Sequence, residues 1–187
     1  MKIKLIKFHK VKSTNDVAMR LIKQNSSKPT LILSKKQING RGRIGKKWIS
    51  KNGNLFISIF FRLDELNINY KQFSVLNALL FKKLISEKIS KKIIIKWPND
   101  LLFKKKKFCG ILQEVIKYRD YKYLIVGIGI NTNSFPKNKS FQSTSLKNII
   151  DQKVDNQKFL KNILIAYEKF LSQAKKKTFL ELKRKYK

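Results

Sequence analysis

Cysteine and histidine are nearly absent from this chain of 187 residues, which has one of each, Cys109 and His9. A lone cysteine excludes an intramolecular disulfide, so we expect a reducing, cytoplasmic location. A lone histidine in a lysine-rich segment argues against a Ser-His-Asp triad and against a metal site built from several histidines.

Long apolar runs are missing as well. Uninterrupted apolar stretches such as Ala78–Phe81 and Tyr123–Val126 are a few residues long, whereas a membrane-spanning helix needs about 20 apolar residues. Lysines interrupt the apolar residues of positions 1–12, so no signal peptide is predicted. Proline and glycine number only 3 and 7, which excludes a collagen-like chain, and 42% hydrophobic residues suffice for the core of one domain.

Acidic residues are scarce, because 11 Asp and Glu stand against 44 Lys and Arg, a net charge of +33. The positive electrostatic field of such a chain attracts polyanions, and nucleic acid is the obvious candidate for a binding partner. The lysines are, however, spread from end to end, and only six of the 44 cations are arginine, the residue that specific readers of bases and phosphates favour. We interpret most of the charge as solvated surface, with a basic nucleic-acid-binding module as the alternative.

Hydrophobic patterning predicts strands and helices without a regular β-α-β order. Strands are predicted at Ile3–Phe8, Thr30–Leu33, Leu55–Phe61, Ile93–Trp97, Phe108–Ile116 and Tyr123–Ile130. Helices are predicted after the capping cluster Ser13–Asp16, over Phe73–Leu84, over Phe159–Leu171 and in the lysine-rich end of the chain. The mixture favours an α+β fold with a mainly antiparallel or mixed sheet packed with helices.

Residues 40–45 read Gly-Arg-Gly-Arg-Ile-Gly. Glycine lets a backbone adopt positive φ and approach a ligand closely, and arginine donates charge-assisted hydrogen bonds to carboxylates and phosphates. The letters fit G-x-G-x-x-G, but no helix begins there, which argues against a dinucleotide site. A flexible basic turn is the alternative.

The segment Lys96–Asp100 follows a strongly apolar run. Pro98 ends strand pairing and so places Asn99 and Asp100 at a strand end, where polar groups often meet ligands. Because acids are so few, Asp100 indicates a metal or ammonium partner, and a plain turn is the alternative.

Two further segments carry candidate residues. Most of Lys104–Lys107 is expected to be a solvated turn, although Lys107 abuts a strand and can point inward. Gly127 and Gly129 share one face of a strand, which indicates close approach of a ligand or another backbone, or else a bulge. Cys109 is expected to be a small strand residue rather than a nucleophile.

Five motifs, taken in order, resemble the catalytic domain of biotin protein ligases over nearly the whole chain. They are Ser13-Thr14-Asn15, Gln37 with Gly40-Arg41-Gly42-Arg43-x-Gly45, Lys96-Trp97-Pro98-Asn99-Asp100, Lys107-x-x-Gly110-Ile111-Leu112 and Gly127-x-Gly129-Ile130-Asn131. The resemblance implies the class II synthetase-like fold of biotin and lipoate ligases and a two-step reaction. Biotin and ATP, with Mg²⁺, give biotinyl-5′-AMP and pyrophosphate. A lysine of the biotin carboxyl carrier protein of acetyl-CoA carboxylase then attacks the mixed anhydride.

The resemblance also implies residue roles. Arg43, Lys107 and Asp100 are assigned to catalysis. Arg43 and Lys107 suit this role because a carboxylate and a polyphosphate repel each other unless cations surround the forming bond. Trp48 and Asn131 are assigned to the nucleotide, and Asp100 and Asn131 are the candidates for contact with Mg²⁺ or the acceptor lysine. Biotin and biotinyl-AMP are expected to contact Ser13, Thr14, Asn15, Gln37, Gly40, Arg41, Gly42, Arg43, Lys107, Gly110 and Gly129.

Some members of that family carry an N-terminal DNA-binding domain, and many carry a small C-terminal β-barrel. Residues 1–187 have room for neither, so we expect one catalytic domain without sequence-specific DNA binding and with the barrel absent or vestigial. The resemblance leaves a homodimer open. The alternative within the same fold is a lipoate or octanoyl ligase or transferase, whose members lack the Gly-Arg-Gly-Arg and Lys-Trp-Pro-Asn-Asp motifs.

Overall fold

The structure is a computed structural model that describes residues 2–87, 89, 92–137 and 141–187. Over these residues the chain forms seven strands and five helices. The strands are β1 (Lys4–Val11), β2 (Thr30–Gln37), β3 (Leu55–Arg62), β4 (Ile94–Lys96), β5 (Asp100–Phe103), β6 (Lys106–Tyr118) and β7 (Tyr121–Ile130). The helices are α1 (Thr14–Lys23), α2 (Tyr70–Ser86), α3 (Leu146–Ile150), α4 (Asn156–Ala174) and α5 (Phe179–Tyr186).

All seven strands belong to one sheet with the order β1-β2-β3-β7-β6-β5-β4. β1 and β2 are parallel, and every other neighbouring pair is antiparallel. The predicted α+β class with a mixed, mainly antiparallel sheet is therefore confirmed.

Both faces of the sheet are covered, as the burial of every residue from Leu55 to Phe61 in β3 shows. Ile57, Ile59 and Phe61 belong to the larger core, which contains residues of α2, α4 and α5. Phe60 belongs to a smaller core with residues of α1. Because successive strand side chains point to opposite faces, α1 lies on one face of the sheet, and α2, α4 and α5 lie on the opposite face.

Sequence patterns predict neither β5 nor α3, which are four and five residues long. β4 ends at Lys96 as expected from Pro98, but pairing resumes at Asp100, which opens β5. Lys104 and Lys105 form the turn before β6, both with positive φ, whereas Lys107 already lies in β6. No helix in the described part of the chain combines the length and apolar character of a membrane-spanning segment.

Candidate active site

A cavity of about 770 Å³ lies on the face of the sheet that α1 covers. Strand register explains the space, because small residues come together there. Ser58 of β3 pairs with Gly127 of β7. Two residues further along β7, Gly129 pairs with Gly110 of β6. The first turn of α1 and the segment after β2 lie over this thin part of the sheet.

One end of the cavity is a polar corner formed by Ser13, Thr14, Asn15, Gln37 and Ser58. The Ser13 hydroxyl caps α1 by accepting the Asn15 N–H at 3.3 Å. Thr14 donates its N–H to Gln37 Oε1 at 2.9 Å, and its hydroxyl oxygen lies 3.0 Å from the same atom. The Ser58 hydroxyl lies 2.7 Å from Thr14 Oγ1 and 2.5 Å from Asn15 Oδ1. Because buried polar groups are costly unless paired, these bonds fix the positions of the donors and acceptors of the corner.

Residues 40–48 form a hairpin, named here the glycine hairpin. The Trp48 N–H donates to the Gly40 carbonyl at 2.8 Å, and the Lys46 N–H donates to the Arg43 carbonyl at 3.1 Å. At its tip Ile44 and Gly45 have φ of 53° and 69°, the two positive values that a type I′ turn requires. The segment predicted as a ligand loop or a basic turn is thus a turn of defined geometry.

The arginines of the glycine hairpin have different surroundings. Arg41 Nη2 lies 3.0 Å from Asp16 Oδ1 and 2.8 Å from Glu114 Oε2, so two carboxylates compensate its charge. Arg43 is exposed at the tip, where its Nη1 donates to Asn99 Oδ1 at 3.2 Å. Arg43 is therefore the hairpin arginine whose charge no carboxylate of the described residues neutralises within salt-bridge distance.

Trp48 and Asn15 occupy the space that the glycines leave. A Cβ atom on Gly129 would lie 2.3 Å from Trp48 Cε2, and one on Gly110 would lie 2.8 Å from Trp48 Cζ3. A Cβ atom on Gly127 would lie 2.3 Å from Asn15 Oδ1. The sequence predicts that a ligand or another backbone lies close to Gly127 and Gly129, or else a bulge. In the structure the side chains of Asn15 and Trp48 lie against them. The indole Nε1 of Trp48 is buried without a hydrogen-bond partner.

The other end of the cavity contains an ion pair. Lys107 Nζ lies 2.8 Å from Asp100 Oδ1, and both side chains are largely buried. The ammonium is also 5.2 Å from the centroid of the Trp48 ring. Lys107 therefore points inward, which is the orientation that the sequence leaves open for it. Asn131 lines the same region, and its Oδ1 is buried without a partner.

Cations dominate the lining, and Asp100 is the one carboxylate among the described lining residues. The lining Lys and Arg residues are Arg41, Arg43, Lys46, Lys47, Lys96, Lys105 and Lys107. Such a lining suits a ligand with several negative charges.

Over the described residues, no three His, Cys, Asp or Glu side chains form a metal cluster. Asp100 and Asn131 bring a carboxylate and an amide oxygen to the cavity, and these are donor types that suit Mg²⁺, which usually binds through one or two carboxylates together with phosphates.

Burial raises the pKa of the Cys109 thiol well above its ordinary value, and the nearby Asp100 carboxylate raises it further. Cys109 is fully buried in β6. It is a strand residue with a protonated thiol, in agreement with the prediction.

The cavity brings together the predicted site residues with one exception, Gly40. Gly40 lies at the base of the glycine hairpin, where a Cβ atom would come within 2.6 Å of the Trp48 carbonyl oxygen. The residues that line the cavity are Ser13, Thr14, Asn15, Gln37, Arg41, Gly42, Arg43, Trp48, Asp100, Lys107, Gly110, Gly129 and Asn131. Their contacts with substrates stay predictions.

Sequence reasoning missed three residues of the site, namely Asp16, Ser58 and Glu114. The scarcity of acids that singled out Asp100 applies equally to Asp16 and Glu114. Ser58 is the one polar residue within the apolar run Leu55–Phe61, and an isolated hydroxyl in a buried strand needs a polar partner.

The comparisons with known proteins agree with one another. A sequence model of the biotin/lipoate A/B protein ligase family matches residues 7–131. The chain is 35% identical over 163 residues to the bifunctional ligase/repressor BirA of Bacillus subtilis, which covers 84% of this chain and 50% of that protein. It is 27% identical over 169 residues to the biotin–[acetyl-CoA-carboxylase] ligase of Paracoccus denitrificans, which covers 86% of this chain and 70% of that protein.

A solved structure gives the same result. The biotin protein ligase from Aquifex aeolicus in complex with biotin and ATP superimposes with a TM-score of 0.83 and 33% identity, over 98% of this chain and 76% of that one. This chain spans about half the length of the Bacillus proteins that it matches. The matched range 7–131 contains all five motifs on which the resemblance rests. The chain belongs to the biotin/lipoate A/B protein ligase family.

Proposed function

We propose that this chain activates biotin with ATP as biotinyl-5′-AMP and transfers the biotinyl group to a lysine of a biotin carboxyl carrier protein. The observation that carries the proposal is one cavity with a hydrogen-bonding corner at one end and the Lys107–Asp100 pair at the other. Gly127, beneath Asn15, is two residues from Gly129, a separation of about 7 Å along an extended strand. Gly129 pairs with Gly110, where an added Cβ atom would lie 3.2 Å from Lys107 Nζ. Such a cavity fits a molecule with a polar ring at one end and an acid at the other.

The polar corner supports biotin rather than lipoate or octanoate. A ureido ring has one carbonyl acceptor and two N–H donors, which hydroxyl and amide side chains can pair. A dithiolane ring or an alkyl chain would leave the buried groups of Thr14 and Asn15 without new partners, which disfavours their binding.

In the first step, an oxygen of the biotin carboxylate attacks the α-phosphorus of ATP, and the bond to pyrophosphate breaks. We assign Arg43 and Lys107 to the charge that builds on the phosphate oxygens, because preorganised cations in a partly dry site stabilise such charge strongly. Arg41 is less suited, since Asp16 and Glu114 compensate it. Asp100 and Asn131 would hold Mg²⁺, which would neutralise further charge on the phosphates. Trp48 and Asn131 are proposed to contact the nucleotide.

In the second step, the neutral amine of the carrier lysine attacks the carbonyl carbon of the adenylate, an amide forms, and AMP leaves. The attacking nitrogen loses one proton, which passes to solvent. Asp100 is proposed to contact the incoming amine, because it is the carboxylate that lines this part of the cavity. The names of similar proteins support the carrier as partner, since the Paracoccus relative is a biotin–[acetyl-CoA-carboxylase] ligase.

Incubation of the protein with labelled biotin, ATP and Mg²⁺ tests the proposal. We expect biotinyl-AMP and pyrophosphate without carrier, and label on the lysine of a biotin carboxyl carrier domain when that domain is added. Lipoate and octanoate in place of biotin are expected to give little adenylate. Adenylate formed with lipoate but not biotin would favour the lipoate alternative, and steeply salt-dependent nucleic-acid binding with no reaction would favour the nucleic-acid module.

A further inference from the structure

Glu114, which does not line the cavity, joins two parts of the site that do. Its Oε2 accepts hydrogen bonds from Asn15 Nδ2 at 2.6 Å and from Arg41 Nη2 at 2.8 Å. Asn15 belongs to the polar corner and Arg41 to the glycine hairpin, 26 positions apart in the sequence. One carboxylate of β6 thus holds the start of α1 and the hairpin together.

The first consequence concerns the orientation of the Asn15 amide. An amide can be turned over to exchange its oxygen and nitrogen, whereas an ionised carboxylate can only accept hydrogen bonds. Glu114 therefore requires Nδ2 to face it, so that Oδ1 faces the Ser58 hydroxyl. The Ser58 proton is then directed to Asn15, and the Ser58 oxygen, 2.7 Å from Thr14 Oγ1, is left to accept the Thr14 hydroxyl proton. The charge of Glu114 in this way sets the direction of hydrogen bonding through the polar corner.

The second consequence concerns the glycine hairpin. Arg41 follows Gly40 at its base, and Arg41 forms a backbone bridge with Lys47 on the other side of the hairpin. Glu114 and Asp16 hold the guanidinium from two elements, β6 and α1. Arg41 is thereby an anchor of the hairpin rather than a free cation for substrates.

We propose that Glu114 is a positioning residue for biotin: through Asn15 it sets the donor and acceptor pattern of the polar corner, and through Arg41 it holds the glycine hairpin over the cavity. This inference rests on the proposed function for the identity of the ligand. It predicts that Glu114 acts mainly on the binding of biotin and little on the chemical step.

The test compares Glu114→Ala, Glu114→Gln and the control Glu65→Gln. Glu65 pairs with Lys175 at 2.7 Å on an exposed surface, so its replacement also removes one ion pair. Biotin binding is measured by calorimetry without ATP. Because charge-assisted hydrogen bonds are lost, we expect the dissociation constant to rise about tenfold or more in Glu114→Ala. Glu114→Gln retains an acceptor oxygen and is expected to recover part of that loss.

Two further measurements separate positioning from a general structural role. Steady-state kinetics of adenylate formation are expected to show a raised KM for biotin with kcat and the KM for ATP nearly unchanged. Trypsin is expected to cleave the hairpin faster in both Glu114 variants, because Arg41, Arg43, Lys46 and Lys47 are its target residues there. Glu65→Gln is expected to match the parent in all three assays.

Unchanged biotin affinity in Glu114→Ala overturns the inference, and so does a uniform loss of kcat and of affinity for both substrates. If the parent protein binds no biotin, the proposed function fails instead. The tryptic rate still tests the anchoring of the hairpin in that case, since it needs no ligand.

Discussion

We expect Gly129→Ala to displace the Trp48 indole from the sheet while the sheet itself stays intact. The added Cβ atom would lie 2.3 Å from Trp48 Cε2, about 1.1 Å short of the 3.4 Å at which ordinary contacts begin. Gly129 belongs to β7, which pairs on both sides, with β3 and β6. Trp48 ends a hairpin that few backbone hydrogen bonds hold. The hairpin is therefore the part that moves.

The energies of this change are small and partly compensating. Burial of a large apolar side chain contributes about 1.5–3 kcal/mol, so loss of a half-buried indole costs about 1–2 kcal/mol. Alanine is itself more favourable than glycine in a strand by about 0.5–1 kcal/mol. The free energy of global unfolding is thus expected to fall by no more than about 1.5 kcal/mol, while the position of the indole changes clearly.

Tryptophan fluorescence in a Trp97→Phe background measures this displacement, because Trp48 and Trp97 are the two tryptophans. Gly129→Ala is expected to shift the emission to the red and to increase quenching by acrylamide. Gly127→Ala is the matched control on the same face of β7, since its Cβ atom would meet Asn15 rather than Trp48. Identical emission and quenching in Gly129→Ala and its parent would refute the proposed contact. A large fall in the free energy of global unfolding would show that strand β7 is displaced instead of the hairpin.

Three further outcomes are expected. Lys107→Met is expected to slow adenylate formation, measured as pyrophosphate release, about 100-fold or more. The control Lys161→Met, on the exposed side of α4, is expected to react at the rate of the parent. Equal rates in Lys107→Met and the parent would show that Lys107 has no role in the chemical step. Because burial raises its thiol pKa, Cys109 stays protonated and does not react with Ellman's reagent at about pH 8 until guanidinium unfolds the protein; rapid labelling of the native protein would contradict this burial. Hydrogen bonds from the N–H and hydroxyl of Thr178 hold the pKa of the Glu181 carboxyl below its ordinary value of 4.5. A lowered folded-state pKa contributes stability above the unfolded value and loses it as pH falls through the folded value. The unfolding midpoint of the parent should therefore fall more than that of Glu181→Gln below about pH 4.5, and parallel curves would refute the contribution.

The sequence predicts the elements whose signals are local and strong. β3 and β7 are strongly apolar segments, and α1 begins at a cluster of capping residues, so each is predicted near its observed position. β5 has only four residues between two turns. Four residues are too few for an alternation of apolar and polar side chains to identify a strand.

Contacts between distant residues explain the rest of what was missed. Arg41 and Glu114 are 73 residues apart, and their ion pair depends on the register of β6 and the position of the hairpin. No local pattern encodes that distance. The two arginines of the Gly-Arg-Gly-Arg motif look equivalent in the sequence, yet carboxylates compensate Arg41 and leave Arg43 exposed.

The net charge of +33 and the selectivity of the site have different physical origins. Exposed lysines attract any polyanion, and salt screens that attraction over about 8 Å at physiological ionic strength. The polar corner contains no lysine or arginine; Thr14, Asn15 and Ser58 are at most 3% exposed, and their hydrogen bonds have fixed directions. A ligand gains binding free energy in the polar corner only if its own donors and acceptors match those directions, because an unpaired buried polar group is costly. Charge therefore raises the local concentration of anions at the cavity, whereas hydrogen bonding in the polar corner discriminates among the acids that enter it.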